Sequence, residues 1–432
     1  MPEKHKGNSG IAGKVALSLE GLLLNDHLRS FIKSLGVVFV FKVASFIISI
    51  VVSVLIAHSL GPAGVGIIGV VQAAVNFLVI PMIMGASNSL CKYLPSSDAN
   101  EKKVIMSTVM IINFLLVVVF SFAYLAISPL ITDKFKVMSG DIWLYSILLA
   151  VIVNFGFITE GAMRGNKSFY QIGAYRFISF AFFLVMIVFM VFIRKSIDLQ
   201  SYFTILCIYQ AIFALLAFRH LGIKPTAFSS KHAVKMYNYG IINMLSWTLS
   251  TIVFGVDIFI VKYFCSPYDL GIFSAYLTNA KAIFNVLFFE LLLVVFLPTI
   301  ADMDKKELCK KLDKYSPVLF PIFIVCSSLI ICVIILLFGR EFPLKPEYVF
   351  CTALGMTSSG ICQLYVAVIS MEGNMGARLW LLSIALSAPL LILIQFVLIR
   401  SEGVNGAVMS YALINLMLLV FVRTMIFFKF RN

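Results

Sequence analysis

Charge is scarce in this sequence: Asp, Glu, Lys and Arg are 12% of 432 residues, and 61% of residues are hydrophobic. A soluble domain carries about a quarter charged residues. A chain with so few charges cannot cover a water-facing surface, which excludes an ordinary soluble fold and points to a bilayer. Catalytic and metal-binding patterns are also lacking. None of the five histidines belongs to an HExxH or a paired-carboxylate pattern, and no catalytic residue, metal ligand or cofactor is expected. The eight cysteines include no CxxC and no Cys/His metal spacing, so they read as buried small hydrophobes rather than a disulfide framework. Strict alternation of apolar and polar residues is missing, which argues against a β-barrel. Residues 1–32 lack the continuous apolar stretch and small-residue cleavage site of a secretory signal. Leu17, Leu19 and Leu22–Leu24 mixed with Glu20, Asp26 and Arg29 suit an interfacial or cytoplasmic segment instead.

Long apolar runs are what the chain has in quantity. A spanning helix needs about 20 mostly apolar residues. Twelve such runs follow one another, at 33–59, 66–90, 104–128, 141–160, 177–193, 200–218, 238–262, 268–299, 315–338, 347–371, 376–399 and 404–428. The expected fold is an all-α integral membrane protein with twelve transmembrane helices. The net charge of +14 then reads as topology, not as a nucleic-acid surface. Of the lysines and arginines outside the spans, 24 lie in the termini and one alternate set of loops and 8 in the other set. That bias puts both termini in the cytoplasm.

The stretch SLGPAGVGIIG, from Ser59 to Gly69, looks at first like a phosphate-binding loop. Such a loop needs a preceding strand and a βαβ unit, and here apolar spans flank it, so it reads as a tight turn on the outer side. It also has an echo. Aligning Pro62 with Pro267 of CSPYDLGIF places Gly66–Ile67 on Gly271–Ile272. A second echo pairs Glu160–Gly161 of TEGAMRGNK with Glu372–Gly373 of MEGNMGARL. The expectation is a duplication: an N-lobe at 33–218, a polar basic linker at 219–237 and a C-lobe at 238–432, two pseudo-symmetric six-helix lobes. Parallel repeats of this kind place a transport site between the halves.

Polar residues within spans fall on stripes. Span 8 carries Ser274, Thr278, Lys281 and Asn285 at spacings that share one helical face, with Lys281 near the midplane. Span 1 carries Lys42, Ser45, Ser49 and Ser53; span 2 carries Gln72 and Asn76; span 7 carries Asn243, Ser246, Ser250 and Asp257. These are the two repeat-related pairs of spans. Intramembrane ionisable groups commonly face a cavity, so Lys42, Lys281, Gln72, Asn76, Asn243, Thr278 and Asn285 are the candidate substrate-binding residues. Asp257 is read as an ion-coupling acid or as the partner of Lys281. The bland alternatives stay open: Lys281 as structural glue, Lys42 snorkelling to headgroups, and each serine as helix packing. Arg164 and Arg378 stand at the cytoplasmic mouth or serve topology alone. Glu290 lies off the stripe and reads as structural. The charges of DMDKKELCKKLDK, from Asp302 to Lys314, read as a solvated cytoplasmic loop.

With LGPAGVGIIG ending the first span, GASNSLCKYL ending the second and EGAMRGN after the fourth, the whole chain resembles the bacterial Wzx-type flippases. These belong to the multidrug/oligosaccharidyl-lipid/polysaccharide exporter superfamily. The resemblance implies movement of an undecaprenyl-diphosphate-linked oligosaccharide from the inner to the outer leaflet of the cytoplasmic (inner) membrane. The product would feed O-antigen, lipopolysaccharide or a similar surface polysaccharide, with a polysaccharide polymerase and a chain-length regulator as downstream partners. No nucleic acid partner and no enzymatic step are implied. Two rivals remain. A cation or drug antiporter of the same superfamily would favour acids in the cavity. A membrane-bound polymerase would be expected to place a sizeable catalytic loop outside the membrane, and every outer loop expected here is short.

Overall fold

The computed structural model describes residues 26–134, 138–223, 227–279, 281, 304–370 and 374–431, with the backbone alone at 26–39, 42, 370, 374, 375, 377 and 429–431. No strand occurs among the described residues. Ten segments are long and apolar enough to cross a membrane. The first, Val43–Ile83, has 41 residues. At 1.5 Å per residue that is about 60 Å, twice the hydrocarbon thickness, so it is two spans. The break is at Gly61, where φ is +62°, inside the helix α1 (Asp26–Ile83). The turn expected at SLGPAGVGIIG is therefore a single left-handed residue, after which Pro62 opens the second arm with a missing N–H at no cost. The run expected at 268–299 begins as α9 (Pro267–Phe273), and its residues 280 and 282–299 lie outside the described residues. With α1 counted as two, eleven spans are complete among the described residues.

Elsewhere the helix bounds depart from the hydrophobic runs in both directions. The second span ends at Ile83. Met84 and Gly85 both have positive φ, and a short helix α2 (Ala86–Tyr93) follows at a new angle. Asp98 caps α3 (Ala99–Ala126), accepting from the N–H groups of Asn100 and Glu101. Helix α4 (Gly140–Gly165) and α5 (Phe169–Val188) leave a three-residue connection where a longer loop was expected. Helix α6 (Leu199–Leu221) leads to α7 (Ser230–Gly255) through backbone N–H groups that donate to α3: Ala227 to Ser107 Oγ and Ser229 to Thr108 Oγ1, each at 3.1 Å. A one-residue break at Val256 separates α7 from α8 (Asp257–Phe264).

The charged run at 302–314 corrects the loop expectation. From Lys305 it forms the opening turns of α10 (Lys305–Phe338). Asp304 caps the Lys306 N–H, Glu307 pairs with Lys311 one turn on at 2.8 Å, and Leu308 and Cys309 are buried beneath. Three helices complete the fold: α11 (Pro346–Ser370), α12 (Asn374–Glu402) and α13 (Val404–Arg431).

Packing divides the helices into two groups. In the first half α1 lies on α4 and α5, and α6 on both of those. In the second, α11 packs on α10 and α13, and α12 on α7 and α13. Large apolar side chains such as Phe122, Leu215 and Leu336 stay exposed around the outside. In water such a surface would aggregate, whereas in lipid it is the natural solvent-facing surface. The protein is a multi-pass membrane protein with an all-α fold.

Two contacts tie the halves together. At one end α1 meets α9, where the echoed motifs touch each other. A Cβ on Gly66 would lie 2.9 Å from the Gly271 backbone nitrogen, and a Cβ on Gly271 would overlap the Pro62 carbonyl. Gly66 and Gly271, aligned in the expected duplication, thus meet backbone to backbone. Nearby, His58 Nε2 donates to the Leu337 carbonyl at 2.9 Å and Tyr268 to the Glu341 carbonyl at 3.0 Å. At the other end α2 meets α7. Gly85 lies against the Gly240 backbone, with φ of +70° and no room for a Cβ, and Ser89 Oγ donates to the Met236 carbonyl at 2.7 Å.

Candidate functional site: a polar cavity between the halves

Between those two contacts lies a cavity of about 260 Å³, lined by residues from both halves. The second arm of α1 contributes Gly69, Gln72, Asn76 and Phe77; α7 and α8 contribute Thr251, Phe254, Gly255 and Asp257. Phe273 of α9, then Leu277, Thr278 and Lys281 beyond it, and Tyr411 of α13 complete the wall. Gln72 and Asn76 project into it one helical turn apart, exposed and with no protein hydrogen-bond partner for either amide among the described residues. Lys281 Nζ stands 5.4 Å from the Tyr411 ring centroid and 5.6 Å from that of Phe254. Aromatic faces hold an ammonium without neutralising it. Asp257 is 8% exposed and accepts from the Ile258 N–H at 2.8 Å. It shares the cavity with Lys281, but the ion pairs among the described residues do not include the two. The Tyr411 hydroxyl is buried with no hydrogen-bond partner among the described residues. An unpaired amide, hydroxyl or ammonium in a low-dielectric site is costly unless a ligand or water completes it.

Five of the residues read from the spans thus share one cavity: Gln72, Asn76, Asp257, Thr278 and Lys281. Others do not. Asn243 donates back to the Tyr239 carbonyl at 3.0 Å, and Ser246 and Ser250 bond their own helix in the same way. Ser274 leaves the stripe, because Ser274–Asn279 is a π-helical turn. Its i→i+5 bonding shifts the helical phase, and Ser274 is fully buried against Gly69 instead. Asn285 and Glu290 lie outside the described residues, as does the Lys42 side chain. Ser45 is buried without lining the cavity. Thr251, Phe254 and Tyr411 were not legible as site residues, because an aromatic or lone threonine in an apolar run carries no periodic signal.

A second cavity of about 390 Å³ lies within the C-terminal half, lined by Ser250, Ser359, Gln363, Trp380 and Asn415 among others. Phe254 forms part of both walls.

Arg164 is not a free cation at the mouth. It pairs with Glu160 one turn earlier on α4, and Arg176 of α5 binds the other oxygen of that carboxylate at 2.6 Å. Arg176 also lies over the Phe213 ring at 3.7 Å. This triad fastens α4, α5 and α6 at one end of the first half. The Arg164 side chain is 56% exposed, so part of it still faces outward. Glu160→Gln should destabilise the protein by about 2 kcal/mol, since charge-assisted hydrogen bonds to two guanidinium groups become neutral ones. The midpoint of thermal unfolding of the purified protein checks this, and an unchanged midpoint would show the triad to be ornamental. Arg378 is exposed near the start of α12; its echo segment at 371–373 lies outside the described residues.

A cavity on the seam between two helix groups that touch at both of its ends defines a two-lobed membrane fold. Residues 31–304 match the family of polysaccharide biosynthesis proteins, and the chain belongs to that family. Solved structures agree on the fold. A lipid II flippase, MurJ, in an inward closed conformation aligns with a TM-score of 0.67 at 15% identity, over 91% of this chain and 88% of that one. A multidrug resistance MATE transporter of the MOP superfamily, inward-facing, aligns at 0.61 and 12% identity, over 92% and 98%. A MOP superfamily transporter from Pyrococcus furiosus, described as having a binding pocket of reversed polarity, aligns at 0.52 and 11%, over 92% and 95%. No curated protein matches the sequence. The superfamily read from the motifs is thus the one whose fold this chain has.

Proposed function

We propose that this protein is a flippase that carries an undecaprenyl-diphosphate-linked oligosaccharide from the inner to the outer leaflet of the bacterial cytoplasmic membrane. Its product would be a repeat unit of O-antigen or a similar surface polysaccharide. The observation that carries the reading is the seam cavity, where the Lys281 side chain stands between two aromatic faces beside Asp257, the free amides of Gln72 and Asn76 and the Thr278 hydroxyl. A diphosphate needs compensating cations to leave water, and sugar hydroxyls need hydrogen-bond partners. The lipid tail stays in the bilayer. At about 260 Å³ the cavity is smaller than the ~300–1,000 Å³ of typical ligand pockets. A glycan therefore enters only when the lobes part at one end, which is the rocking of two halves about a central site. In this reading the lobes are 33–218 and 238–432, both termini are cytoplasmic, and Lys42, Asn243 and Asn285 join the site as it opens. The chain performs no covalent chemistry and uses no cofactor. The polymerase that consumes the flipped unit, and its chain-length regulator, act on the far side.

Asp257 in the same cavity favours one rival, exchange of a small cation for protons. Proteoliposomes holding a fluorescent undecaprenyl-diphosphate oligosaccharide separate the two. Protein-dependent exposure of the headgroup to the opposite leaflet is expected. Cation–proton exchange with no movement of the lipid-linked glycan would replace the flippase with the antiporter.

A further inference from the structure

At the end of the seam where α2 meets α7, four side chains gather outside the cavity. Helix α2 supplies Lys92 and Tyr93, and α7 supplies Lys235 and Tyr239. Lys92 Nζ stands 3.8 Å from the Tyr239 ring centroid and 5.4 Å from that of Tyr93; Lys235 Nζ is 4.9 Å from Tyr93. The two rings meet edge to face at 6.0 Å. Each half thus gives one cation to the other half's tyrosine.

Two ammonium groups share the single Tyr93 ring, and both side chains are exposed. Neither lysine pairs with a carboxylate among the described residues. The acids close by in sequence are engaged elsewhere: Asp98 caps α3, and Glu101 faces His232 at 3.9 Å. Like charges gathered around one ring repel each other, and an anion that binds both relieves that repulsion. The platform beneath is close-packed: Ser89 and Met236 are buried and bonded across the seam, and the Gly240 backbone lies against Gly85. The cluster is also separate from the cavity. Lys92 lies 20 residues beyond Gln72, up to about 30 Å of helix.

We infer that Lys92 and Lys235, flanked by Tyr93 and Tyr239, form a second anion site, a docking subsite for the phosphate of a lipid headgroup at the face that the charge bias assigns to the cytoplasm. The identity of that lipid as an undecaprenyl diphosphate rests on the flippase reading; the phosphate chemistry does not. A cation over a half-buried ring with its own side chain exposed is held more weakly than one in a charge-assisted hydrogen bond to phosphate. An arriving phosphate therefore draws both lysines off the rings of the opposite half. Docking and loosening of this end of the seam become one event, which would admit the headgroup toward Lys281.

Native mass spectrometry of the full-length protein, titrated separately with undecaprenyl diphosphate, phosphatidylglycerol and inorganic pyrophosphate, tests the site. Wild type is expected to bind two undecaprenyl diphosphate molecules. The double variant Lys92→Gln/Lys235→Gln should lose one, with its affinity weakened about 10-fold or more, and Lys92→Arg/Lys235→Arg should keep it. The arginine variant guards against a mere folding defect. Loss of phosphatidylglycerol from the glutamine variant in the same pattern would support a site for any lipid phosphate. Loss of pyrophosphate would support one that needs no tail. Equal occupancy of wild type and the glutamine variant by all three probes overturns the subsite even if the protein flips the glycan. Selective loss of phosphatidylglycerol in a protein that flips nothing would keep the subsite and sink the flippase reading.

Discussion

Lys281→Ala is expected to lower translocation of the lipid-linked headgroup by about 30-fold or more, the kinetic equivalent of at least ~2 kcal/mol for truncating one partner of a desolvated charge contact. Lys281→Arg should retain a measurable part, because the charge survives while the bulkier guanidinium crowds the Phe254 and Tyr411 faces. Alanine also has an indirect effect. Asp257 is 8% exposed and loses the one cation that shares its cavity, and a buried charge left alone is destabilising. The double variant Lys281→Ala/Asp257→Asn separates the two consequences. Its thermal midpoint should return toward that of wild type while translocation stays low. If it recovers both, Lys281 serves only to neutralise Asp257 and is structural glue. If Lys281→Ala alone flips as well as wild type, the cavity cation has no part in transport.

What the sequence makes legible here is whatever the bilayer itself constrains. Hydrocarbon thickness sets the length of an apolar run, so the spans could be read directly, including the two that α1 fuses into one continuous helix. The duplication could be read because Pro and Gly recur where two backbones must approach. Helical spacing then grouped Gln72 with Asn76 and Thr278 with Lys281. It failed at Ser274, because spacing assumes 3.6 residues per turn and Ser274–Asn279 is π-helical. Hydropathy stops at the membrane boundary and helices do not. The charges of α10 were therefore mistaken for a loop, although Asp304 is a cap that can be read locally. The pairings between distant segments had no sequence signal. Glu160 with Arg176, Lys92 with Tyr239 and Lys281 with Tyr411 arise only when separate helices pack, and one sequence contains nothing that links such positions.

Gly271→Val is expected to reduce translocation to the background of empty vesicles. The contact between the echoed motifs is backbone on backbone. A Cβ at Gly271 would overlap the Pro62 carbonyl, and Pro62 opens a helical arm just after the left-handed Gly61. The obstructing atom is thus part of a constrained main chain and cannot turn aside as a long side chain would. Gly271→Ala should already cost about 1–3 kcal/mol, the usual range for overpacking, and a branched side chain would hold α1 and α9 apart. Small residues at a helix crossing in lipid let backbones approach closely, so this seam depends on fit more than on hydrophobicity. Gly66→Val should have a smaller effect, because its Cβ would lie 2.9–3.1 Å from the Gly271 nitrogen, the Leu270 side chain and the Leu270 carbonyl carbon, a much milder overlap than that of a Gly271 Cβ with the Pro62 oxygen. Gly140→Ala is the control, since a Cβ there meets nothing within 4 Å. The four variants are compared by thermal midpoint and by headgroup exposure in proteoliposomes. Wild-type translocation by Gly271→Val would mean that the lobes never need to close at this end. The cavity would then work as an open groove rather than as a site exposed to one face at a time.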